Sequence, residues 1–193
     1  MIKIFEDYLP DKEYKHIYET VDDLKFMWRR SNILRDPDDP RVKDNNEPPF
    51  CGNPLYNIQM CRTVYSVVSG TEEKSLILGC CAPLFQKLKI TKKNLISSKF
   101  NLTLNHGEET LSGFHIDNKM EGGLTGIYYL TTDNGYTLFE DGTKVSTVAN
   151  KLVIFANNMK HAGVSCTDTK YRMVLNINWH PSKNVEEYKR KRN

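Results

Sequence analysis

The sequence predicts a mainly β protein in which helical support comes first and an antiparallel barrel or sandwich follows. From about residue 95 onward, short runs of alternating apolar and polar residues recur, separated by clusters of glycine, asparagine and aspartate. Before that point, one stretch has apolar residues at helical spacing. The length of 193 residues corresponds to a single domain, 1–193.

Strand and helix patterns alternate in the first part of the chain. MIKIFEDYLP predicts a short strand that ends at Pro10, and DKEYKHIYETVDDLKF predicts a helix capped by Asp11. LYNIQMCRTVYSVV predicts a strand. TEEKSLILGCCAPLFQKLK predicts helical structure capped by Thr71 and interrupted at Gly79 and Pro83.

Between residues 95 and 180 the patterns predict strands only. We expect these strands to form an antiparallel barrel-like core. The runs are LISSKFNLTLN, GFHID, TGIYYLTT, YTLFEDGTKVSTV, KLVIFAN and YRMVLNINW.

The charge, the cysteines and the absence of long apolar runs limit the partners and the location that the sequence predicts. A formal net charge of +3 is mild, and much of the excess lies in the basic tail 181–193, so the charge gives no support for a nucleic-acid partner, which we do not expect. The five cysteines lack CxxC spacing and predict reduced thiols, which favours a cytoplasmic location. Neither a signal peptide nor a membrane span is predicted.

A histidine and an aspartate lie two residues apart in the predicted strand GFHID. Residues at i and i+2 of a strand project to the same face, so His115 and Asp117 can bind one metal ion together. His161 follows an apolar strand, and a returning strand brings it close. Two histidines and one carboxylate are the facial triad of non-haem Fe(II) oxygenases, and HxD alone is also compatible with a chance polar pair.

An arginine and a tyrosine are the candidates for binding an anion. In YRMVLNINW the apolar residues alternate with Arg172, which therefore points into the barrel if the apolar face packs outward. A buried guanidinium needs a fixed anionic partner, whereas an arginine on an edge strand remains in water. Tyr129 shares a face with Thr125 and Ile127, and its hydroxyl either reaches the same anion or lies in the core.

In order, the motifs HID, GIYYL, NGYTLFEDG, His161 and Arg172 resemble the 2-oxoglutarate/Fe(II)-dependent dioxygenases of the prolyl-4-hydroxylase-like group. The resemblance covers about residues 95 to 180 and includes the spacing of 11 residues between His161 and Arg172. It implies a double-stranded β-helix (a jelly-roll, cupin-like barrel) over 95–180, which N-terminal α-helices within 1–94 support.

The resemblance also implies the chemistry. Fe(II) would be bound by His115, Asp117 and His161, and the distal carboxylate of 2-oxoglutarate would pair with Arg172 with help from Tyr129. With O2, and with ascorbate as an optional addition, such a protein hydroxylates a C–H bond and releases succinate and CO2. Position 176 is Asn176, where the group commonly has a hydroxyl residue, so its role in co-substrate binding is a weaker expectation.

The sequence leaves the substrate open between a peptide or protein and a small molecule, with peptidyl proline as the default of the group. The segments 35–55 and 118–123 are candidate lids or ordinary surface turns. Asn101 either lines the pocket or is an ordinary strand residue. A cupin-type isomerase or metal-binding protein, and a non-enzymatic interaction protein, are the alternative functions.

Overall fold

The computed structural model describes residues 1–23, 25–34, 50–67, 69–72 and 76–185. Most of the predicted 35–55 loop and the last residues of the basic tail, 186–193, lie outside the described residues. In the described ranges the helices are Asp11–Asp22 (α1), Leu76–Cys80 (α2) and Ala82–Lys87 (α3). The strands are Lys3–Phe5 (β1), Arg29–Ser31 (β2), Gln59–Ser66 (β3), Thr71–Glu72 (β4), Leu95–Leu104 (β5), Leu124–Tyr129 (β6), Tyr136–Phe139 (β7), Lys144–Ser146 (β8), Leu152–Ala156 (β9), His161–Val164 (β10) and Tyr171–Trp179 (β11).

The described strands form two antiparallel sheets. The larger has the order β1-β9-β6-β11-β5-β3-β2, with β4 paired to β3, and the smaller has the order β10-β7-β8. The segment before β6 joins the smaller sheet through two isolated bridges, Leu111 to Val164 and His115 to His161. The mainly β class predicted from the sequence is confirmed.

The outer face of the larger sheet packs against the helices. Alternate residues of β11 belong to one buried cluster with Ile17 and Val21 of α1 and Leu84 of α3. Each such buried side chain contributes about 1.5–3 kcal/mol relative to exposure. The β11 residues in this cluster are Met173, Leu175, Ile177 and Trp179.

The inner face of the larger sheet packs against the smaller sheet. Phe139 of β7 and Val145 of β8 share a second buried cluster with Ile127, Tyr129 and residues of β9 and β11. The two sheets therefore face each other, and the polar alternate positions of β5 and β11 lie between them.

Two local predictions are corrected. Asp11 is not a cap: Pro10 occupies the cap position of α1, and Asp11 instead pairs with Lys15 at 2.7 Å. Thr71 lies in β4 because it pairs with Ser66 of β3, and strand pairing overrides its tendency to cap a helix. The predicted helical segment is divided into α2 and α3 at Cys81, in line with the interruption expected from Gly79 and Pro83.

The predicted strand GFHID is reduced to a single bridge. Gly113 has a φ of 113°, which interrupts extended pairing, and only His115 pairs with β10. All five cysteines are free thiols. No helix in the described part of the chain has the length and apolar character that crossing a membrane requires.

Candidate metal centre

Three side chains with metal-ligating atoms meet between the two sheets. One ligand atom of each of His115, Asp117 and His161 lies within 4.8 Å of the other two. The Nε2 atoms of His115 and His161 lie 3.7 Å from the two carboxylate oxygens, Oδ1 and Oδ2 respectively. The predicted pair and the predicted third residue thus come together in the fold.

A backbone bridge positions the two imidazoles. The N–H of His115 donates to the carbonyl of His161 at 3.0 Å, and the N–H of His161 donates back at 3.0 Å. Directly paired residues of adjacent antiparallel strands present their side chains on the same face. The ring centroids are 4.7 Å apart as a result.

Backbone carbonyls select the tautomer of both imidazoles. Nδ1 of His115 lies 3.1 Å from the carbonyl oxygen of Gly113, and Nδ1 of His161 lies 3.1 Å from that of Met159. A carbonyl only accepts, so each Nδ1 carries a proton, and in the neutral tautomer that this contact selects the lone pair of Nε2 faces Asp117. Metal-bound histidines use this arrangement, in which the second ring nitrogen donates to a neighbouring acceptor.

Burial and neighbouring charges together determine the protonation of the metal-ligating residues Asp117 and His161. Burial opposes ionisation of Asp117, yet the pKa of the carboxyl is lowered because His161, His115, the amide of Asn176 and the charge of Lys99 outweigh burial. Burial also lowers the pKa of His161, against the opposing attraction of Asp117. The centre therefore favours a carboxylate beside a neutral imidazole at neutral pH.

The donor set fits a divalent transition metal. Three lone-pair atoms converge, and the 3.7 Å separations are too long for hydrogen bonds between them. Two imidazoles and one carboxylate suit Fe(II) and leave coordination positions for other molecules. In the described ranges this is the one cluster of metal-ligating side chains of its kind.

An arginine of β11 also lies between the two sheets, some distance along the strand from the metal-ligating residues. Arg172 is 6% exposed; its Nε donates to Thr147 at 2.8 Å and its Nη2 donates to Thr137 at 3.1 Å. It forms no ion pair with a carboxylate of the described residues, although its charge opposes the increase that burial causes in the pKa of Asp133. Its inward orientation agrees with the alternation of β11, and its role as an anion-binding residue stays a prediction.

Tyr129 lies beside this arginine, under its guanidinium. The guanidinium carbon is 5.4 Å from the ring centroid, and the tyrosine hydroxyl shares a hydrogen bond of 2.8 Å with Thr137. Burial raises the pKa of Tyr129, while Arg172 opposes the increase, so the phenol stays protonated at neutral pH. Tyr129 therefore contacts Arg172 through its ring and shares Thr137 with it, and its role toward a co-substrate stays a prediction.

Other polar residues complete the site. The amide of Asn176 donates to Oδ2 of Asp117 at 3.1 Å, so the structure places Asn176 beside the metal-ligating carboxylate, and its role toward a co-substrate stays a prediction. The sequence analysis missed Thr137 and Thr147, whose only signal was their position in the alternating run YTLFEDGTKVSTV. Asn101 lines the cavity, which answers the question that its sequence context left open.

A single cavity of ≈ 310 Å³ connects the metal-ligating residues with Arg172. Strands of both sheets line it, together with residues 110, 112, 115 and 117 from the segment that joins the smaller sheet. The loop 118–123 is tied to the barrel because Asn157 donates to the carbonyl of Met120 at 2.7 Å. Whether this loop acts as a lid stays a prediction.

No protein-family model matches the sequence, and a search of curated proteins gave no match. Solved structures do match the fold. A prolyl-4-hydroxylase of Pseudomonas putida superposes with a TM-score of 0.52 at 14% identity, covering 92% of this chain and 90% of that chain. The non-heme alpha-ketoglutarate-dependent epimerase SnoN from nogalamycin biosynthesis superposes with a TM-score of 0.57 at 10% identity, covering 93% and 76%.

A third match is a prolyl hydroxylase of Trichoplax adhaerens, in complex with a peptide fragment of the hypoxia inducible factor oxygen degradation domain. It superposes with a TM-score of 0.54 at 12% identity, covering 100% of this chain and 86% of that chain. All three matches span most of both chains. The chain therefore has the double-stranded β-helix fold found in 2-oxoglutarate/Fe(II) oxygenases.

Proposed function

We propose that the protein is an Fe(II)- and 2-oxoglutarate-dependent dioxygenase that hydroxylates a C–H bond and releases succinate and CO2. The observation that carries the proposal is the convergence of two Nε2 lone pairs and one carboxylate in a cavity that also contains a buried arginine without a carboxylate partner. The fold shared with known oxygenases supports it.

His115, Asp117 and His161 would hold the iron, and bound iron with 2-oxoglutarate and O2 supplies the oxidising power for C–H hydroxylation. The protein's own residues orient the metal-ligating side chains and exclude water. The carbonyls of Gly113 and Met159 accept from the two Nδ1 atoms, which orients each Nε2 toward Asp117, and the amide of Asn176 holds the carboxylate in place. These contacts set the geometry before any metal binds, which limits the cost of reorganisation.

Arg172 would bind the distal carboxylate of 2-oxoglutarate. Two different guanidinium nitrogens donate hydrogen bonds to the hydroxyls of Thr147 and Thr137, and these contacts fix the plane of the Arg172 side chain. A planar guanidinium held in this way pairs with a carboxylate through two parallel hydrogen bonds. The low exposure of Arg172 keeps water away from that pair and strengthens it.

The substrate is proposed by analogy only. One solved neighbour is a prolyl hydroxylase in complex with a peptide, and another is an epimerase from nogalamycin biosynthesis. A peptidyl proline is accordingly the default, and a small molecule is the other class of substrate. Fold alone does not decide between them.

The test compares His161→Ala with the matched variant His16→Ala, which removes an exposed histidine of α1. Anaerobic addition of Fe(II) and 2-oxoglutarate should produce the weak visible absorption band of their chelate in the parent protein and in His16→Ala, and none in His161→Ala. In the presence of O2, the parent protein and His16→Ala should likewise release succinate, and His161→Ala should not. An unchanged band in His161→Ala would refute the assignment, and metal binding without 2-oxoglutarate binding would favour a cupin-type metal protein.

A further inference from the structure

The cavity has two ends, and the register of β5 with β11 orders them. Arg172 pairs with Thr103 near one end. Asn176, which contacts the metal-ligating Asp117, pairs with Lys99 farther along. Beyond them, Asn178 pairs with Ser97. If 2-oxoglutarate extends from Arg172 to the metal, the end beyond Lys99 is left for the substrate.

Lys99 is the one side chain with a positive charge that lines this second end in the described part of the chain. It forms no hydrogen bond or ion pair with a described residue, and it pairs in register with Asn176, whose amide contacts Asp117. Lys99 is therefore a cation without an anionic partner among the described residues that line this end of the cavity.

The rest of this end is hydrophilic. Thr63 and Ser66 of β3 and Ser97 of β5 line it together with Lys99. The total volume of ≈ 310 Å³ is at the low end of the range for small-molecule sites, and the co-substrate fills part of it. Such a lining stabilises a small polar molecule through hydrogen bonds and offers little apolar surface.

A buried hydrogen-bond acceptor without a partner places a second requirement on the ligand of this cavity. Oδ1 of Asn101 is buried, lines the cavity and accepts no hydrogen bond. A buried acceptor left without a partner is unfavourable, so a ligand with an N–H or O–H donor is favoured. The dianion of 2-oxoglutarate has acceptors only, and the donor must come from another molecule.

We propose that the cavity end formed by Thr63, Ser66, Ser97 and Lys99 is the substrate subsite. It binds a free amino acid whose carboxylate pairs with Lys99, an inference that rests on the proposed function. An amino acid supplies the anion that Lys99 lacks, and its ammonium group is a donor for Asn101, which lies two residues from Lys99 on the same face of β5, toward Arg172. A peptide without terminal or acidic carboxylates leaves Lys99 without an anion.

The experiment measures binding without turnover. The protein is loaded with Zn(II) and N-oxalylglycine, an unreactive analogue of 2-oxoglutarate, and saturation-transfer NMR reports binding from three mixtures. These are the free proteinogenic amino acids, the corresponding amino-acid amides, and proline peptides blocked at both ends without acidic residues. We expect at least one free amino acid to bind about tenfold or more tightly than its amide, as a charge-assisted contact requires.

Variants assign the effect to Lys99. Lys99→Met should abolish the preference for acid over amide, whereas Lys99→Arg and the exposed control Lys93→Met should retain it. The inference is overturned if no free amino acid binds, if acids and amides bind equally, if the blocked peptides bind instead, or if Lys99→Met keeps the preference. Failure of N-oxalylglycine itself to bind the Zn(II)-loaded protein would instead remove the proposed function, and this inference with it.

Discussion

The side-chain amide of Asn176 donates a hydrogen bond to Oδ2 of Asp117 across 59 residues of sequence, at 3.1 Å. The orientation of this amide is itself determined, because its Oδ1 accepts from Nδ2 of Asn178 at 3.0 Å. Thr125 in turn donates to Oδ1 of Asn178 at 2.8 Å. A chain of three polar side chains therefore aims a donor at the metal-ligating carboxylate.

Removing this donor should weaken metal binding. We expect Asn176→Ala to lower the affinity for Mn(II), a redox-stable substitute for Fe(II), by about 10–100-fold, because contacts that orient a metal ligand have effects of this size. Isothermal titration calorimetry on the protein without 2-oxoglutarate measures it. The exposed variant Asn53→Ala should bind Mn(II) like the parent, and equal affinities in Asn176→Ala and the parent would show that the contact does not support the metal site.

Arg172→Lys should weaken 2-oxoglutarate binding although the charge is kept. A lysine presents a point charge and loses the paired hydrogen bonds of a guanidinium, so the KM for 2-oxoglutarate should rise about tenfold or more. Mn(II) affinity in the absence of 2-oxoglutarate should not change. Arg29→Lys on the exposed edge strand β2 is the control, and an unaltered KM in Arg172→Lys would place the co-substrate elsewhere.

Gly135 should not tolerate a methyl group. A Cβ at this position would lie 2.8 Å from the carbonyl oxygen of Val164 and 2.9 Å from Cδ of Arg172. We expect Gly135→Ala to reduce the free energy of unfolding by about 1–3 kcal/mol and to weaken 2-oxoglutarate binding, because Arg172 must move.

The matched control for this prediction is Gly79→Ala in α2, where an added Cβ meets no atom within 4 Å. It should be neutral or stabilise by about 0.5–1 kcal/mol, since alanine is the better helix former. Urea unfolding measures both variants. A Gly135→Ala protein as stable as the parent would mean that the strands separate without cost at this point.

Buried tyrosines should make the protein sensitive to alkaline pH. Burial raises the pKa of Tyr128, whose hydroxyl donates to Asn150 at 2.7 Å, and burial likewise raises the pKa of Tyr14 and Tyr129. Above about pH 10 the unfolded chain loses these protons while the folded chain keeps them. Stability is thus complete below about pH 10 and falls as the pH rises further, by up to about 1.4 kcal/mol per pH unit for each tyrosine.

Tyr128→Phe isolates one of these contributions. The variant loses a hydrogen bond at every pH, but its stability should decline less steeply than that of the parent above about pH 10. Urea unfolding at a series of pH values tests this. Parallel curves for the two proteins over the alkaline range would rule out Tyr128 as a source of the dependence.

Much of the fold could be predicted from the sequence because the alternation of apolar and polar residues along a strand is a local pattern. The inward direction of Arg172 and the outward packing of Met173 and Leu175 follow from the period of two in β11, and the structure shows both. The same rule placed His115 and Asp117 on one side, although Gly113 reduces their strand to a single bridge. The predicted caps Asp11 and Thr71 were wrong because neighbouring backbone, Pro10 in one case and β3 in the other, takes precedence over the side chain.

What the sequence by itself determined was the set of candidate groups: two histidines, one aspartate and one arginine on strands of known alternation. Only the tertiary structure decided which atoms meet. The partners Thr137 and Thr147 of Arg172, the contact of Asn176 with Asp117, and the unpaired Lys99 depend on which strands are neighbours and in what register. Those are long-range pairings, and no local pattern encodes them because their free energy arises from contacts between residues far apart in the chain.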